Sequence, residues 1–532
     1  MAEYMQAWDV VVVGNDVAAL RAAIAASDAG ASVTVLCSRA PSSKSHSECG
    51  IAASLGESSH SAHAEETILV GDGLCDSEVV HSVATSAPHH LAELERWGVV
   101  LRRDGNGLPH LGQLPGQSTP RTANTGDSTA RELLQILEEQ CIKRRIPRRG
   151  DVEVFDLVMT ENGIRGLIAL DIQSGSIFGI QSKAVILAGS GFESAWNGDG
   201  VGMGVAASLA LRSDLPLANL EFTAMHPLTV ADTDLHLPLD LLGAGAVVIG
   251  QDGSEMTSDD GSDALARAIV DAGGASLDMT GIPRSAKSWY AGTFDMLSSR
   301  CGIDASTENI PLMPAVVFTI GGIPVDASGN VVNNDWDSPV DGLFATGDAA
   351  CSGMHGASAS SGNRMLDAIA GGALTGKTAA NHAKSTNFSG SSAISTALSE
   401  AHHMHDEILS KAGNGGTSVG ALMGALTQTM QTHVGINRDA AGLSSAADSI
   451  RELRALEFGI QDSSTMMNTE YIAMRQTQGL LAIAEAVVAS ADARKESRGS
   501  HLRTDHPDAN KKLTHYTLVD GDGTVSRLPC RN

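Results

Sequence analysis

The sequence predicts an α/β fold, and two segments far apart in the chain carry this prediction. The first is an apolar strand over 9–14 that ends in Gly14 and is followed by an alanine-rich helical stretch over 20–26. A strand, a tight turn and a helix in this order form a Rossmann-like unit, whose helix N-terminus holds a pyrophosphate. The second segment is another apolar strand, which ends in Gly347 and Asp348. We therefore predict that distant parts of the chain meet in one sheet.

The glycine pattern of the first turn is incomplete. Of the three glycines in G-x-G-x-x-G only Gly14 is present, and Asp16 and Ala19 occupy the other two places. A carboxylate beside a diphosphate is unfavourable unless it turns outward or caps the helix. The next strand ends at 37–39, around Ser38, without the acidic residue that usually binds a ribose, so NAD is not favoured. On this segment alone, a dinucleotide site and an ordinary buried strand-turn-helix both stay open.

The hydrophobic pattern divides the rest of the chain into regions. Alternation over 152–159 and 166–170 predicts a β-hairpin, and residues 513–525 are predicted to form a second one near the C-terminus. Residues 386–395 are rich in serine and glycine, which predicts a linker before a long stretch of helical periodicity. The predicted parts are a nucleotide-binding domain over 1–226 and 319–385, an inserted α+β capping domain over 227–318, a C-terminal helical domain over 396–504 and a tail over 505–532.

Composition is that of a large soluble enzyme. The 532 residues, 42% of them hydrophobic, are enough for several cores. No apolar run approaches the ~18 residues that a membrane span needs, and no signal pattern opens the chain, so we expect a cytoplasmic protein without a membrane span. Seven scattered cysteines without a C-x-x-C pair predict reduced thiols and no metal site. The net charge of −26 argues against nucleic acid and anionic membrane surfaces as direct partners.

Short segments along nearly the whole chain match one enzyme family in order and spacing. They lie at 45–47 with 50–53, 71–76, 116–129, 185–192, 198–203, 220–227 and 494–507. Together they resemble the flavoprotein subunit of succinate dehydrogenase and fumarate reductase, a family that includes L-aspartate oxidase. The resemblance implies a bound FAD. It implies these FAD-binding residues: Gly14, Ser38, Ser45, His46, Gly50, Gly189, Asp199, Asp348, His355, Asn363 and Met365.

Among these positions, His46 has two alternative interpretations, while Asp348 and His355 each have one expected role. In the dehydrogenases of the family, the histidine that corresponds to His46 carries the flavin covalently, whereas aspartate oxidases lack it and hold FAD noncovalently. The stretch from His46 to Gly50 is shorter here than in the family, so a covalent anchor and a solvent-facing loop histidine both stay open. Asp348 replaces the usual glutamate and would still accept a hydrogen bond from a ribityl hydroxyl. For His355 we expect a structural role in its glycine-rich turn.

The substrate residues that the resemblance implies are mostly absent. The family holds a dicarboxylate with two arginines and two histidines, and here Leu242, Val317 and Ala359 stand in three of those four places. His226 remains. Arg364 could take the place of the second arginine through a five-residue insertion, or it could lie near the flavin pyrophosphate or at a helix start. The catalytic candidates are therefore His226 and Arg364.

The resemblance implies an FAD-dependent oxidoreductase that interconverts succinate and fumarate. Its electrons would pass to an iron–sulfur subunit and through it to membrane anchor subunits, which would place the chain peripherally on the inner face of the cell membrane. Losing one partner of a bound anion costs ~2–5 kcal/mol, so the missing cations weaken the case for a dicarboxylate. Two alternatives stay open. One is an L-aspartate oxidase-like enzyme, and the other is a flavin-binding homologue that has lost dicarboxylate chemistry.

Overall fold

The main sheet has eight strands, is mostly parallel and takes its strands from two separate parts of the chain, 6–187 and 330–345. The structure is a computed structural model that describes residues 6–39 and 49–531. Up to the capping region, the described elements are β1 (Gln6–Val13), α1 (Val17–Asp28), β2 (Val33–Leu36), β3 (Ile51–Ala52), α2 (Glu57–Val70), α3 (Ser77–Trp97), β4 (Leu111–Gly112), β5 (Thr122–Ala123), α4 (Thr129–Lys143), β6 (Arg148–Arg149), β7 (Val152–Thr160), β8 (Gly163–Asp171), β9 (Ser176–Leu187), α5 (Ser194–Asn197), α6 (Val205–Arg212), β10 (Leu217–Ala218) and β11 (Thr223–His226).

The remaining elements complete the capping region, return to the sheet and then form a helical array. They are α7 (Asp240–Gly243), β12 (Val247–Gly250), α8 (Ser262–Asp271), β13 (Ala275–Asp278), α9 (Arg284–Lys287), α10 (Ala291–Met296), β14 (Ile310–Leu312), β15 (Ala315–Thr319), β16 (Ile323–Pro324), β17 (Asn330–Val332), β18 (Pro339–Ala345), β19 (Ala350–Cys351), α11 (Asn363–Ser385), α12 (Ser391–Ser410), α13 (Val419–His433), β20 (Asn437–Arg438), α14 (Ala440–Ala455), α15 (Thr469–Ala493), β21 (Leu502–Arg503), β22 (His515–Val519) and β23 (Val525–Pro529).

The two predicted strands of the nucleotide site meet in the main sheet, as expected. The strand order is β17, β18, β9, β1, β2 and β6, with β8 beside β9 and β7 beside β8. Strand β9 runs parallel to both β1 and β18 and so joins them. The carboxyl ends of β1, β9 and β18 therefore lie at one edge of the sheet, where open α/β sheets bind their ligands.

Strand β1 is buried on both faces, which explains its unbroken run of valines. Val10 and Val12 belong to a core shared with α1 and α11. Val11 and Val13 belong to a second core on the other face, which includes residues of α6 and α15. This alternation is the period of two that a β-strand imposes on its side chains.

Helices α1 and α11 cover one face of the sheet and pack closely through glycine. A Cβ on Gly372 would lie 2.7 Å from the Ala18 carbonyl oxygen, and one on Gly376 would overlap the Ala22 carbonyl oxygen. Neither helix could approach the other so closely with larger residues at these positions.

The segment predicted as the capping domain has its own core. Strands β12, β13 and β14 form a three-stranded antiparallel sheet, and a separate cluster of apolar residues packs around it. Strands β11 and β15 pair antiparallel at the two ends of this segment. The inserted α+β unit of the predicted fold class is therefore present, while its boundaries at 227 and 318 stay a prediction.

Both predicted hairpins are confirmed, and the predicted linker is wrong in its second half. Strands β7 and β8 pair antiparallel, as do β22 and β23. Helix α12, however, begins at Ser391, so that only 386–390 connects it to α11. The reason is Ile394, which is fully buried in a core with residues of β8 and β9. One buried isoleucine outweighs the weak helix propensity of the surrounding serines. No helix among the described residues is long and apolar enough to cross a membrane.

A buried ionic network joins the end of α15 to the segment between β10 and β11. Arg494 follows α15, and its guanidinium contacts Glu221 at 2.5 Å and Glu496 at 2.9 Å. The same guanidinium donates to Thr517 Oγ1 at 2.9 Å, and the Thr517 hydroxyl donates to Glu221 at 3.0 Å. The side chain of Glu221 is fully buried, so its charge depends on these partners.

We predict that Arg494→Ala lowers the free energy of unfolding by about 3–5 kcal/mol, because it leaves the Glu221 carboxylate buried without its cation. Urea unfolding followed by circular dichroism measures this loss. The matched control is Arg451→Ala, which removes an exposed ion pair with Asp448 on α14 and should cost less than about 1 kcal/mol. Equal unfolding midpoints for the two variants would contradict this role of the network.

Candidate cofactor and substrate site

The carboxyl edge of the main sheet forms a cradle for a phosphate-containing ligand. Gly14 follows β1 with φ +139°, and a Cβ at this position would overlap the Ala188 carbonyl oxygen after β9. Only glycine therefore allows the two strand ends to come so close. Helix α1 begins just beyond, at Val17. Its free N–H groups and positive dipole end face the same edge and suit an anion.

Asp16 caps α1, which is the arrangement that makes a carboxylate tolerable here. Its Oδ1 accepts a hydrogen bond from the Ala19 N–H at 3.0 Å. Its Oδ2 is buried without a hydrogen-bond partner among the described residues. Burial and then the charge of Asp348 raise the pKa of the Asp16 carboxyl to about 7. A carboxyl that is protonated about half of the time at neutral pH repels a neighbouring diphosphate less than a permanent carboxylate does.

A pocket at this edge contains an acidic residue that comes from a strand other than β2. Gly14, Ser38 and Gly189 line it, together with Glu153 of β7 and Gln476 of α15. Gln476 Nε2 donates to Glu153 Oε2 at 3.1 Å and to Ser38 Oγ at 3.3 Å. Glu153 thus stands at the end of β2, where a ribose-binding acid is expected. Sequence reasoning missed it because the residue comes from another strand, although a glutamate in an apolar hairpin was a signal.

Asp348 and Arg364 form a buried ion pair whose charges act on Asp16 at the start of α1. Arg364 Nε donates to Asp348 Oδ1 at 3.0 Å, and Nη2 pairs with Oδ2. The guanidinium also lies over the Phe318 ring, 4.3 Å from its centroid. Arg364 is the second residue of α11. Its position therefore matches the predicted alternative of an arginine at a helix start.

The other predicted cofactor residues are distributed around this ion pair. Asn363 accepts a hydrogen bond from His63 Nε2 at 2.8 Å, and Met365 is buried in the core beneath α1 and α11. The His355 ring lies 6.1 Å from the Phe318 ring, and burial lowers the pKa of His355 to about 4.

The loops around the site hold the rest of the predicted residues. Gly50 lies against the Ala123 carbonyl oxygen, which a Cβ would overlap. Asp199 lies further along the edge, where its Oδ1 accepts from the Val201 N–H at 2.8 Å. Ser45 and His46 lie outside the described residues.

A large cleft opens between this edge and the capping region. Its volume is about 940 Å³, and Val317 of β15 lines it together with Met225, Glu193 and Asp199. His226 follows Met225 at the end of β11 but is almost fully buried, and its Nε2 donates to the Leu237 carbonyl at 2.7 Å. Burial and then the neighbouring His236 lower the pKa of His226 to about 3. The imidazole is therefore neutral at physiological pH.

Leu242, Val317 and Ala359, which stand where the resemblance implies substrate residues, pack in apolar clusters. Leu242 packs against the core of the capping region, and Ala359 is buried in a separate cluster with Val317 and Phe318. Ser358, next to Ala359, donates instead to the buried carboxylate of Asp263 at 2.6 Å. None of these side chains supplies a cation or a hydrogen-bond donor to the cleft.

Comparison with known proteins identifies the families and individual proteins that this chain resembles. A family described as the FAD binding domain matches residues 9–365, and one described as the fumarate reductase flavoprotein C-term matches residues 423–528. The succinate dehydrogenase flavoprotein subunit of Rickettsia bellii is 28% identical, with 97% of this chain and 94% of that protein covered. The fumarate reductase flavoprotein subunit of Haemophilus influenzae is 27% identical, with 94% and 89% covered.

A solved structure shares the whole fold. The FrdA subunit of E. coli quinol fumarate reductase, in a variant form, superposes with a TM-score of 0.92 at 24% identity, covering 99% of this chain and 97% of that one. The cradle at Gly14, the anion-binding start of α1 and the ribose-side acid Glu153 fit a dinucleotide. The chain belongs to the succinate dehydrogenase and fumarate reductase flavoprotein family, and its cofactor is FAD.

Proposed function

We propose that this protein is the flavoprotein subunit of an enzyme that interconverts succinate and fumarate and passes the electrons to an iron–sulfur subunit. The proposal rests on the cleft between the cofactor edge and the capping region, because this cleft would hold a small substrate beside the flavin. Relatives named as succinate dehydrogenase and fumarate reductase subunits align with nearly the whole chain, which supports the same reaction.

Different residues of this chain would hold different parts of FAD. The edge at Gly14 and the start of α1 would hold the diphosphate, and Glu153 with Ser38 would hold a ribose. Asp348 and Arg364 would fix the middle of the cofactor as a rigid pair. FAD supplies the two-electron chemistry, because it exchanges a hydride with the substrate. The protein supplies orientation and a water-poor cleft.

The partners follow from the same proposal. With no metal ligands predicted in this chain, the electrons would leave through an iron–sulfur subunit that also binds membrane anchor subunits. The chain would then lie peripherally on the inner face of the cell membrane. The relatives from Rickettsia bellii and Haemophilus influenzae are themselves subunits, which supports a protein that works in a complex.

A second candidate function rests on the charge of the cleft. Asp127, Asp199, Asp232 and Asp234 line it, and its one lining arginine among the described residues, Arg300, is paired with Asp234 at 2.9 Å. Such a lining disfavours a dianion. It favours an oxidoreductase of the same fold that acts on a less anionic substrate, whereas an L-aspartate oxidase-like reaction would again need cations for its carboxylates.

Flavin content tests the cradle. We predict that the native protein is purified yellow and that Gly14→Ala loses the flavin, because the new Cβ would overlap the Ala188 carbonyl oxygen and separate the strand ends. Gly30→Ala is the control, since Gly30 also has a positive φ but has no atom within 4 Å of the added Cβ. The measurement is flavin absorbance per mole of protein. A colourless wild type, even after refolding with FAD, would contradict the assignment.

Acid precipitation distinguishes the two modes of FAD attachment. If His46 is the covalent anchor, flavin stays on the precipitated polypeptide, and His46→Ser releases it without unfolding the protein. The circular dichroism of the variant provides the folding control. Flavin that appears wholly in the supernatant of the unmutated protein rules the anchor out.

Succinate–dye reductase activity tests the dicarboxylate site. We predict slow oxidation by the flavin-loaded wild type and a further ~10²-fold loss in Arg364→Ala and His226→Ala, because Arg364 holds Asp348 at the cofactor edge and His226 holds the Leu237 carbonyl, so that either change would misplace the site. Arg451→Ala on the surface of α14 is the control. Rapid wild-type turnover that neither substitution disturbs would contradict this view of the site, and no turnover in loaded protein would favour the second candidate.

A further inference from the structure

The cleft contains a buried carboxyl group that has no assigned role. Glu193 follows the loop after β9 and directly precedes α5, and it lines the cleft together with Val317. Only 3% of the residue is exposed. Its Oε2 has no hydrogen-bond partner among the described residues, and no other buried side-chain oxygen or nitrogen lining the described part of the cleft is left in this state. A buried carboxyl oxygen without a partner is costly unless a ligand or a function uses it.

The local sequence is built to hold this carboxyl in place. A Cβ on Gly191 would lie 2.8 Å from Glu193 Oε2, and a Cβ on Gly202 would overlap the same carboxyl. The two glycines thus leave the space that the side chain of Glu193 occupies. The loop is closed behind it, because the Ser194 N–H donates to the Gly202 carbonyl at 2.9 Å. The carboxyl is therefore confined to one position at the wall of the cleft.

The surroundings keep the carboxyl protonated. Burial raises the pKa of Glu193 to about 8, while Arg364 of α11 acts in the opposite direction and Asp348 and Asp199 add to the rise. On β15, the neighbouring group is the neutral hydroxyl of Thr319. The acid therefore carries its proton at neutral pH and loses it as the pH rises through about 8. A carboxylic acid with such a pKa suits proton transfer near neutral pH.

The other candidates for proton transfer are less suited to that role. The resemblance places the family's proton-shuttling arginine at Leu242, which has no proton to transfer. His226 is neutral, and its Nε2–H is already donated to Leu237. Asp127 accepts the Thr293 N–H at 2.7 Å, and Asp199 accepts the Val201 N–H, so one oxygen of each carboxyl group already has a backbone partner, unlike Glu193 Oε2.

We propose that Glu193 is a catalytic residue that gives a proton to the substrate carbon during reduction and takes it back during oxidation. The proposal rests on the proposed function, an oxidoreductase that acts on a carbon–carbon bond beside FAD. In reduction, one carbon of the double bond receives the hydride that the cofactor supplies, with its two electrons. The electron pair of the broken π bond takes the Glu193 proton at the other carbon. The carboxylate left behind recovers a proton from water in the cleft, and oxidation follows the same steps in reverse.

The test compares wild type with Glu193→Gln, which keeps the shape of the side chain and removes its acidic proton. Reduction of fumarate and of uncharged fumaramide by reduced viologen dye should fall ~10²–10⁴-fold in the variant. Flavin content should be unchanged. Wild-type reduction should decline above about pH 8, where the acid loses its proton, and the variant should lack this decline. Glu161→Gln, at the exposed tip between β7 and β8, is the control and should match wild type.

A second readout does not depend on turnover. Infrared difference spectra should show the carbonyl band of a buried carboxylic acid that disappears above about pH 8 and is missing in Glu193→Gln. An unchanged fumarate rate in the variant, or a carboxyl that is already ionised at pH 6, overturns the role of Glu193 with the proposed function intact. Fumaramide reduction that depends on Glu193, in a protein inert to fumarate, supports Glu193 and overturns the succinate reaction. Inertness to both substrates overturns both proposals.

Discussion

Helices α1 and α11 lie so close together that Gly372 and Gly376 have no room for side chains, and the geometry of the site depends on this contact. Because α11 is held against α1, its first turn is fixed at the carboxyl edge of the sheet, beside the start of α1. Arg364 in that turn thereby meets Asp348, which follows β18. Close packing against the backbone of α1 thus brings together parts of the chain more than 300 residues apart.

The same arrangement concentrates acidic groups around a single cation. Asp348 pairs with Arg364, and its charge helps to raise the pKa values of Asp16 and Glu193, both of which burial has already raised. Separate burial of so many carboxylates would be costly, and at neutral pH Glu193 is mostly protonated while Asp16 is divided between its two forms. The site therefore contains carboxyl groups that hold protons at neutral pH, next to a cofactor that exchanges electrons. That combination suits a reaction in which a hydride and a proton move together.

Local patterns predicted the elements of the fold well, while contacts between distant segments were harder to foresee. Short-range periodicity was enough to predict strand β1 from its valines and the hairpin of β7 and β8 from their alternation. The single glycine of the first turn, Gly14, indicated the close approach of the strand ends. Ile394 shows the limit, because its burial against β8 and β9 turned a predicted linker into a helix. Glu153 shows it again at the site, since its place beside Ser38 depends on how two strands associate. No local pattern contains that information.

The two halves of the site fit the ligands that the resemblance implies to different extents. The cofactor half has close backbone contacts, a helix N-terminus and an acid near Ser38 that comes from a different strand. In the substrate half, Leu242, Val317 and Ala359 stand where the resemblance implies cations or donors, while Glu193 lines the cleft. Two glycines leave the space that this buried carboxyl occupies, which is not expected of a pocket without a function. We therefore favour a substrate half with a different balance of charge, in which the proposed proton donor is a neutral acid and not a cation.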